Sequence, residues 1–142
     1  MKRVLILLLI IILLTGCSGG GVIPSISEET QVRHKVVEFW GAMSRKDWNL
    51  AKKCCYPGSS AYHDVLAFQE LLSPYPQASF WYSPIISSIY VVGNEATVIL
   101  TGSIKYSYGG YSYYKDVSGY EILIKSGGRW YMYISWVDGF IV

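Results

Sequence analysis

The sequence predicts an α+β domain, with three N-terminal helices packed on a curved, four-stranded antiparallel sheet. Two observations carry this reading. Between Ser27 and Pro74 the apolar residues recur at helical spacing, and from Ser79 onward they alternate between glycine-containing turns. Helices followed by strands in one chain indicate helices packed on one face of the sheet. The strands are also long, and Gly119 within one of them marks a place for a bulge. A long, bulged sheet curves, and wrapped around a long helix it makes a cone open at one end.

The elements follow in chain order. Ser27 caps the first helix, and Glu28 and Glu29 complement its dipole. Val32, Val36, Phe39, Trp40 and Met43 form its inner stripe as far as Ser44, with His34 on the surface. Asp47 caps a short second helix with Trp48, Ala51 and Cys55 inward, and Pro57-Gly58 ends it. Ser60 opens a third helix whose stripe is Ala61, Val65, Phe68 and Leu72, and Pro74 stops it. His63 and Asp64 are neighbours on this helix, so they point about 100° apart and read as a solvated pair.

Residues 79–92 read as a strand interrupted by Pro84, and Gly93-Asn94 as a hairpin turn. Ala96, Val98, Leu100, Ile104 and Tyr106 share one face of the next strand. After Gly109-Gly110, the strand from Tyr111 to Lys125 is read with Tyr120, Ile122 and Ile124 inward. The last strand is read with Trp130, Met132, Ile134 and Trp136 inward, and the apolar tail from Asp138 to Val142 as folding back or extending that strand.

Ahead of this domain lies a different kind of segment. Lys2 and Arg3 precede an unbroken aliphatic run from Val4 to Leu14, followed by Thr15, Gly16 and Cys17. A basic start, a short apolar core and small residues describe a secretory signal, too short for a spanning helix of about 20 residues. Leu14-Thr15-Gly16-Cys17 resembles the lipobox of bacterial lipoproteins. That resemblance implies cleavage before Cys17 and diacylglyceryl transfer to its thiol. The expected organisation is a signal peptide at 1–16, a lipidated tether at 17–27 and the α+β domain at 28–142. The expected location is the outer side of the cytoplasmic membrane or the outer membrane. Residues 18–27, with Gly19-Gly20-Gly21 and Pro24, reach at most about 30 Å when extended.

Composition excludes several classes. Of twelve Lys and Arg residues, two lie in the leader, so the remainder balances the ten acidic residues. There is no basic stripe, and nucleic acid is not an expected partner. Cys54 and Cys55 are adjacent, which strains a mutual disulfide, and they read as small hydrophobes or near-surface thiols. No cysteine–histidine pattern calls for a metal, and no motif calls for a cofactor.

Val36, Phe39, Trp40, Ala42 and Met43, running into Lys46-Asp47-Trp48 and Ala51, carry a further resemblance, together with Gly128-Arg129-Trp130-Tyr131-Met132. Over residues 28–137 the chain resembles the nuclear transport factor 2-like superfamily, and more narrowly small bacterial lipoproteins with a cystatin-like domain of unknown function. The resemblance implies the cone fold. Catalytic members place acids, bases or tyrosines inside the cone, and no such set matches here.

Two functional expectations follow. In the first, an envelope lipoprotein binds a protein partner or a small apolar ligand without catalysis. Its pocket is lined by Trp40, Phe68, Tyr106, Tyr120, Trp130 and Trp136, and Tyr108, Tyr111, Tyr113 and Tyr114 offer a partner surface. In the second, the cone houses an isomerase, dehydratase or hydrolase, with Asp116 or Asp138 as general base and a buried Tyr as donor.

Overall fold

The computed structural model describes residues 26–138; Cys17, the leader and the residues after Asp138 lie outside that range. Three helices come first: α1 (Glu28–Ser44), α2 (Trp48–Cys54) and α3 (Ser60–Leu72). Five strands follow: β1 (Ser79–Tyr82), β2 (Ile85–Val92), β3 (Glu95–Tyr108), β4 (Tyr111–Ser126) and β5 (Arg129–Val137). They form one antiparallel sheet in the order β1-β3-β4-β5, with β2 also paired to β3.

Each helix begins where a short polar side chain satisfies the free backbone donors. Ser27 Oγ accepts from the Thr30 amide at 3.2 Å, and Asp47 Oδ1 accepts from the Leu50 amide at 3.0 Å. α3 opens at Ser60, and its cap is Ser59, accepting from the Tyr62 amide at 3.2 Å. The α1 stripe of Val32, Val36, Phe39, Trp40 and Met43 is fully covered, as are Ala61, Val65 and Phe68 of α3. Both pack on the concave face of the sheet, where Ala96, Val98, Leu100 and Ile104 of β3 are completely buried. Two polar links fix α1 at its ends. The Tyr82 amide donates to Ser44 Oγ at 3.1 Å, and Trp130 Nε1 donates to Glu28 Oε2 at 2.7 Å. Lys125 also pairs with Glu28, and the hydrogen bonds from Lys125 and Trp130 hold that carboxyl below its ordinary range.

The one strand expected over residues 79–92 is two, both paired to β3. β1 pairs with residues 104–107 of β3 and β2 with residues 95–101, and the break falls at Ser83-Pro84. Proline cannot donate to the ladder, so the edge bends there. Opposite the bend, Gly102 has φ +153°, and a Cβ on it would meet the Tyr82 ring at 2.8 Å and the Ser83 carbonyl at 2.9 Å.

The face assignments of β4 and part of β5 differ from those read in the sequence. On β4 the buried residues are Val117, Glu121 and Leu123, while Tyr120 is on the outer, convex face. The reason is register. Tyr108 pairs with Tyr111 across the Gly109-Gly110 turn, which places Val98 opposite Glu121 and Ala96 opposite Leu123. Directly opposed residues of an antiparallel pair point to the same face, so an inward Val98 brings Glu121 inward.

On β5, Trp130 and Met132 do face the core, but the ladder then skips Tyr133. Leu123 pairs with Met132 and Ile122 with Ile134. This bulge reverses the alternation, and Ser135 and Val137 take the inner face while Trp136 is turned out to stack on Tyr120 at 5.6 Å. The bulge thus lies on β5, not at Gly119. Gly119 is needed for close approach instead, because a Cβ there would lie 2.1 Å from the Trp136 carbonyl oxygen and 2.7 Å from Val137 Cα. Both neighbours are backbone and cannot swing aside. Gly119→Ala is expected to destabilise the domain by at least about 2 kcal/mol in urea unfolding, whereas unchanged stability would mean that β5 moves freely away from β4.

Candidate functional site

Two places in the domain concentrate chemistry, one deep in the cone and one at its mouth. In the cone, Glu121 is completely buried. Its Oε1 accepts from Trp40 Nε1 at 3.0 Å and from Ser135 Oγ at 3.2 Å, while Oε2 has no hydrogen-bond partner among the described residues. The Tyr133 bulge supplies this arrangement, since it sets Ser135 rather than Ile134 opposite Glu121. Trp40 is held edge-on to Tyr82 at 4.8 Å and to Phe39 at 5.1 Å.

Burial pushes the Glu121 carboxyl up to about 8, against the opposing pull of the Ser135 and Trp40 hydrogen bonds, and the charge of Asp64 adds to the rise. Near neutral pH the group is therefore mostly a protonated acid, with Oε1 as its carbonyl acceptor. Asp64, half-buried on α3, is raised by burial and lowered by its neighbour His63. Asp64, Trp40 and Ser135 line a cavity of about 40 Å³ together with Phe39, Met43, Phe68 and Val137. That space admits a water-sized molecule and no metabolite. The cone is closed by its own aromatic and aliphatic side chains.

The mouth is different. Between the end of α3, β1 and the β3–β4 hairpin lies a groove of about 650 Å³. Phe68, Phe80 and Tyr106 form its floor, with ring centroids 5.6 Å apart for Phe68–Phe80 and 6.5 Å for Phe80–Tyr106. Leu71 and Leu72 close one wall, and Tyr108, Tyr111 and Tyr113 form the other. Tyr75 braces Tyr108 edge-on at 5.7 Å. Burial pushes the Tyr106 hydroxyl up, so it remains a neutral donor. Lys115 lines the same groove.

The sequence-derived candidates separate as follows. Phe68, Tyr106, Tyr108, Tyr111 and Tyr113 come together in the groove. Tyr114 points to the opposite face, with Lys105 Nζ 5.5 Å above its ring. Trp40 is deep in the cone, and Trp130 is buried at the far end against Glu28. Tyr120 and Trp136 do not line a pocket; register and the bulge put them on the convex face, 38% and 52% exposed. Asp116 and Asp138 are exposed as well, Asp116 accepting a 2.5 Å hydrogen bond from Ser103, so neither is a buried base. Cys54 and Cys55 are buried, and burial pushes the Cys54 thiol up to about 12 and Cys55 higher still, which makes both unreactive packing groups. Among the described residues no His/Cys/Asp/Glu cluster has the geometry to hold a metal. A second depression, about 770 Å³, has Asn49, Lys52 and Lys53 beside Tyr56, Pro57, Tyr62 and Tyr131, and contains none of the pocket or tyrosine-surface candidates.

Simple alternation misses Glu121, because the apolar residues Tyr120, Ile122 and Ile124 outweigh it. The signal that finds it is the two-glycine turn. Counting back from Tyr108–Tyr111 puts Glu121 opposite Val98, on the face that β3 buries.

Comparison with solved structures agrees with the architecture. A candidate dehydratase of the NTF2-like family from Streptomyces avermitilis superposes with a TM-score of 0.62 at 13% identity, over 74% of this chain and 91% of its own. Aln2 from a Streptomyces species gives 0.65 at 8% identity, over 80% and 92%. An NTF-2-like protein of unknown function from Shewanella oneidensis gives 0.52 at 11%, over 75% and 95%. The fold is nuclear transport factor 2-like. At these identities the likeness concerns the fold alone. Residues 1–18 match the prokaryotic membrane lipoprotein lipid attachment site, and that stretch includes Cys17. Among curated proteins none matches the sequence. The match supports membrane anchoring through lipid on Cys17, and no described helix is long and apolar enough to cross a membrane.

The buried acid has a measurable consequence. Its folded-state pKa lies near 8 against an ordinary 4.5, so between those values the folded chain binds more protons than the unfolded chain. The stabilisation is fully present below about pH 4.5 and is lost as pH rises through 8, with a slope of at most about 1.4 kcal/mol per pH unit. Thermal melts from pH 5 to pH 8 are expected to show a falling Tm in the native chain and a much flatter profile in Glu121→Gln. Parallel profiles would mean that Glu121 is ionised in the fold.

Proposed function

We propose that the protein is a membrane-anchored envelope lipoprotein that binds a small apolar ligand, without catalysis, in the groove at the mouth of its cone. The observation that carries the reading is the groove itself. At about 650 Å³ it falls within the usual range for small-molecule sites, and its lining is mainly aromatic and aliphatic with a few hydroxyls. Tyrosine suits such a lining, because each ring gives apolar contact area and each hydroxyl gives a polar handle.

The closed cone supports binding over catalysis. Its buried acid, Glu121, adjoins only about 40 Å³ of free space, while Asp116 and Asp138 face solvent. An acid–base reaction needs the reacting atoms within hydrogen-bond reach of the acid, and the groove offers no carboxylate among its lining residues.

Two experiments test the reading. In cells given radiolabelled palmitate, the native chain is expected to take up label and Cys17→Ser to take up none; equal labelling would place the lipid elsewhere. Tyr111→Ala combined with Tyr113→Ala is expected to leave the Tm within a few degrees, since both side chains are largely exposed. The same variant is expected to lose at least tenfold in affinity for an apolar fluorescent probe, and unchanged probe binding would exclude the groove.

A further inference from the structure

The groove has one charged lining residue. Lys115 precedes the buried part of β4 and belongs to its concave-facing set, with Tyr111, Tyr113, Val117 and Glu121. Register places it opposite Ile104, beside the Tyr106–Tyr113 pair. No hydrogen bond or ion pair engages its ammonium among the described residues. The neighbouring cation Lys105 is spent on the other face of the sheet, over Tyr114, and Asp116 is turned to Ser103. No carboxylate lines the groove to neutralise Lys115.

An aromatic and aliphatic trough ending in a single unpaired cation has a definite complement. We infer that the groove takes an amphiphile, an apolar body of acyl-chain dimensions ending in one anionic group, with the apolar part over Phe68, Phe80 and Tyr106 and the anion at Lys115. This rests on the binding reading above and names the ligand class for that same groove. Charge complementarity selects the anion, and the nearby tyrosine hydroxyls offer it hydrogen bonds as well. The volume fits a medium-length chain without requiring the cone to open.

The test is calorimetric titration of the full chain without its leader, with octanoate and with 1-octanol, which share a chain length and differ in charge. Octanoate is expected to bind and 1-octanol to bind at least about fivefold more weakly. Lys115→Met is expected to bring octanoate down to the level of the alcohol. Leu71→Asp, an exposed position on the groove wall, is expected to remove both, and far-UV circular dichroism checks that both variants fold. Equal binding of the two probes, unaffected by Lys115→Met, would overturn the anion assignment while leaving an apolar groove. Binding of neither probe would overturn the groove reading too. Binding of octanoate by a chain ending at Asp138, but not by one ending at Val142, would overturn the proposal by giving the groove to the chain's own last residues.

Discussion

One pairing governs the molecule. The Gly109-Gly110 turn sets Tyr108 opposite Tyr111, and from that contact the facing of every residue along β3 and β4 follows. The two glycines have φ +59° and +85°, values that a tight hairpin turn requires and that other residues adopt at a cost. With the register set, the aliphatic face of β3 determines which side of β4 meets α1. Glu121 is carried into the core by this constraint, although its own chemistry disfavours the place. The hydrogen bonds from Trp40 and Ser135, and the proton it retains near neutral pH, are the structure's response.

The bulge at Tyr133 completes that response. Regular pairing would continue Ile134 along the inner face and leave the carboxyl opposite an aliphatic side chain. One skipped residue substitutes Ser135 and sends Trp136 outward. Gly119 permits the close strand approach on the other side of the acid, where any side chain would collide with the β5 backbone. The polar core and the irregular strand are thus one feature seen from two sides. Around it, Phe39, Trp40, Met43 and Phe68 fill the space to within a water-sized cavity, which separates the interior from the mouth.

Much of this was legible in the sequence, and the parts that were not share a cause. The helices were readable from caps and periodicity, because each has one apolar stripe and one polar face. The face of β3 was readable for the same reason. β4 was not, since Tyr120, Ile122 and Ile124 make its convex side as apolar as its concave side, and composition cannot choose between two apolar faces. Trp136 was misplaced for a different reason: a bulge changes phase without any glycine or proline to announce it. Among the site candidates, the tyrosines near the hairpin were recognisable by clustering, but their division was not. Tyr108, Tyr111 and Tyr113 face the groove and Tyr114 does not, and only parity along a strand of fixed register makes that distinction.

The N-terminal end of α1 has a geometric consequence for the anchored protein. Glu28 is fastened to Lys125 and Trp130, at the end of the sheet marked by the β4–β5 turn. The groove lies by the β3–β4 hairpin, ten to fourteen residues back along β4 from Lys125, about 35–45 Å of contour at the usual rise of a strand. The described domain is therefore polar in the mechanical sense, with the start of α1 at one pole and the groove at the other. Under the binding reading proposed above, a ligand enters at the pole remote from the residue where α1 begins.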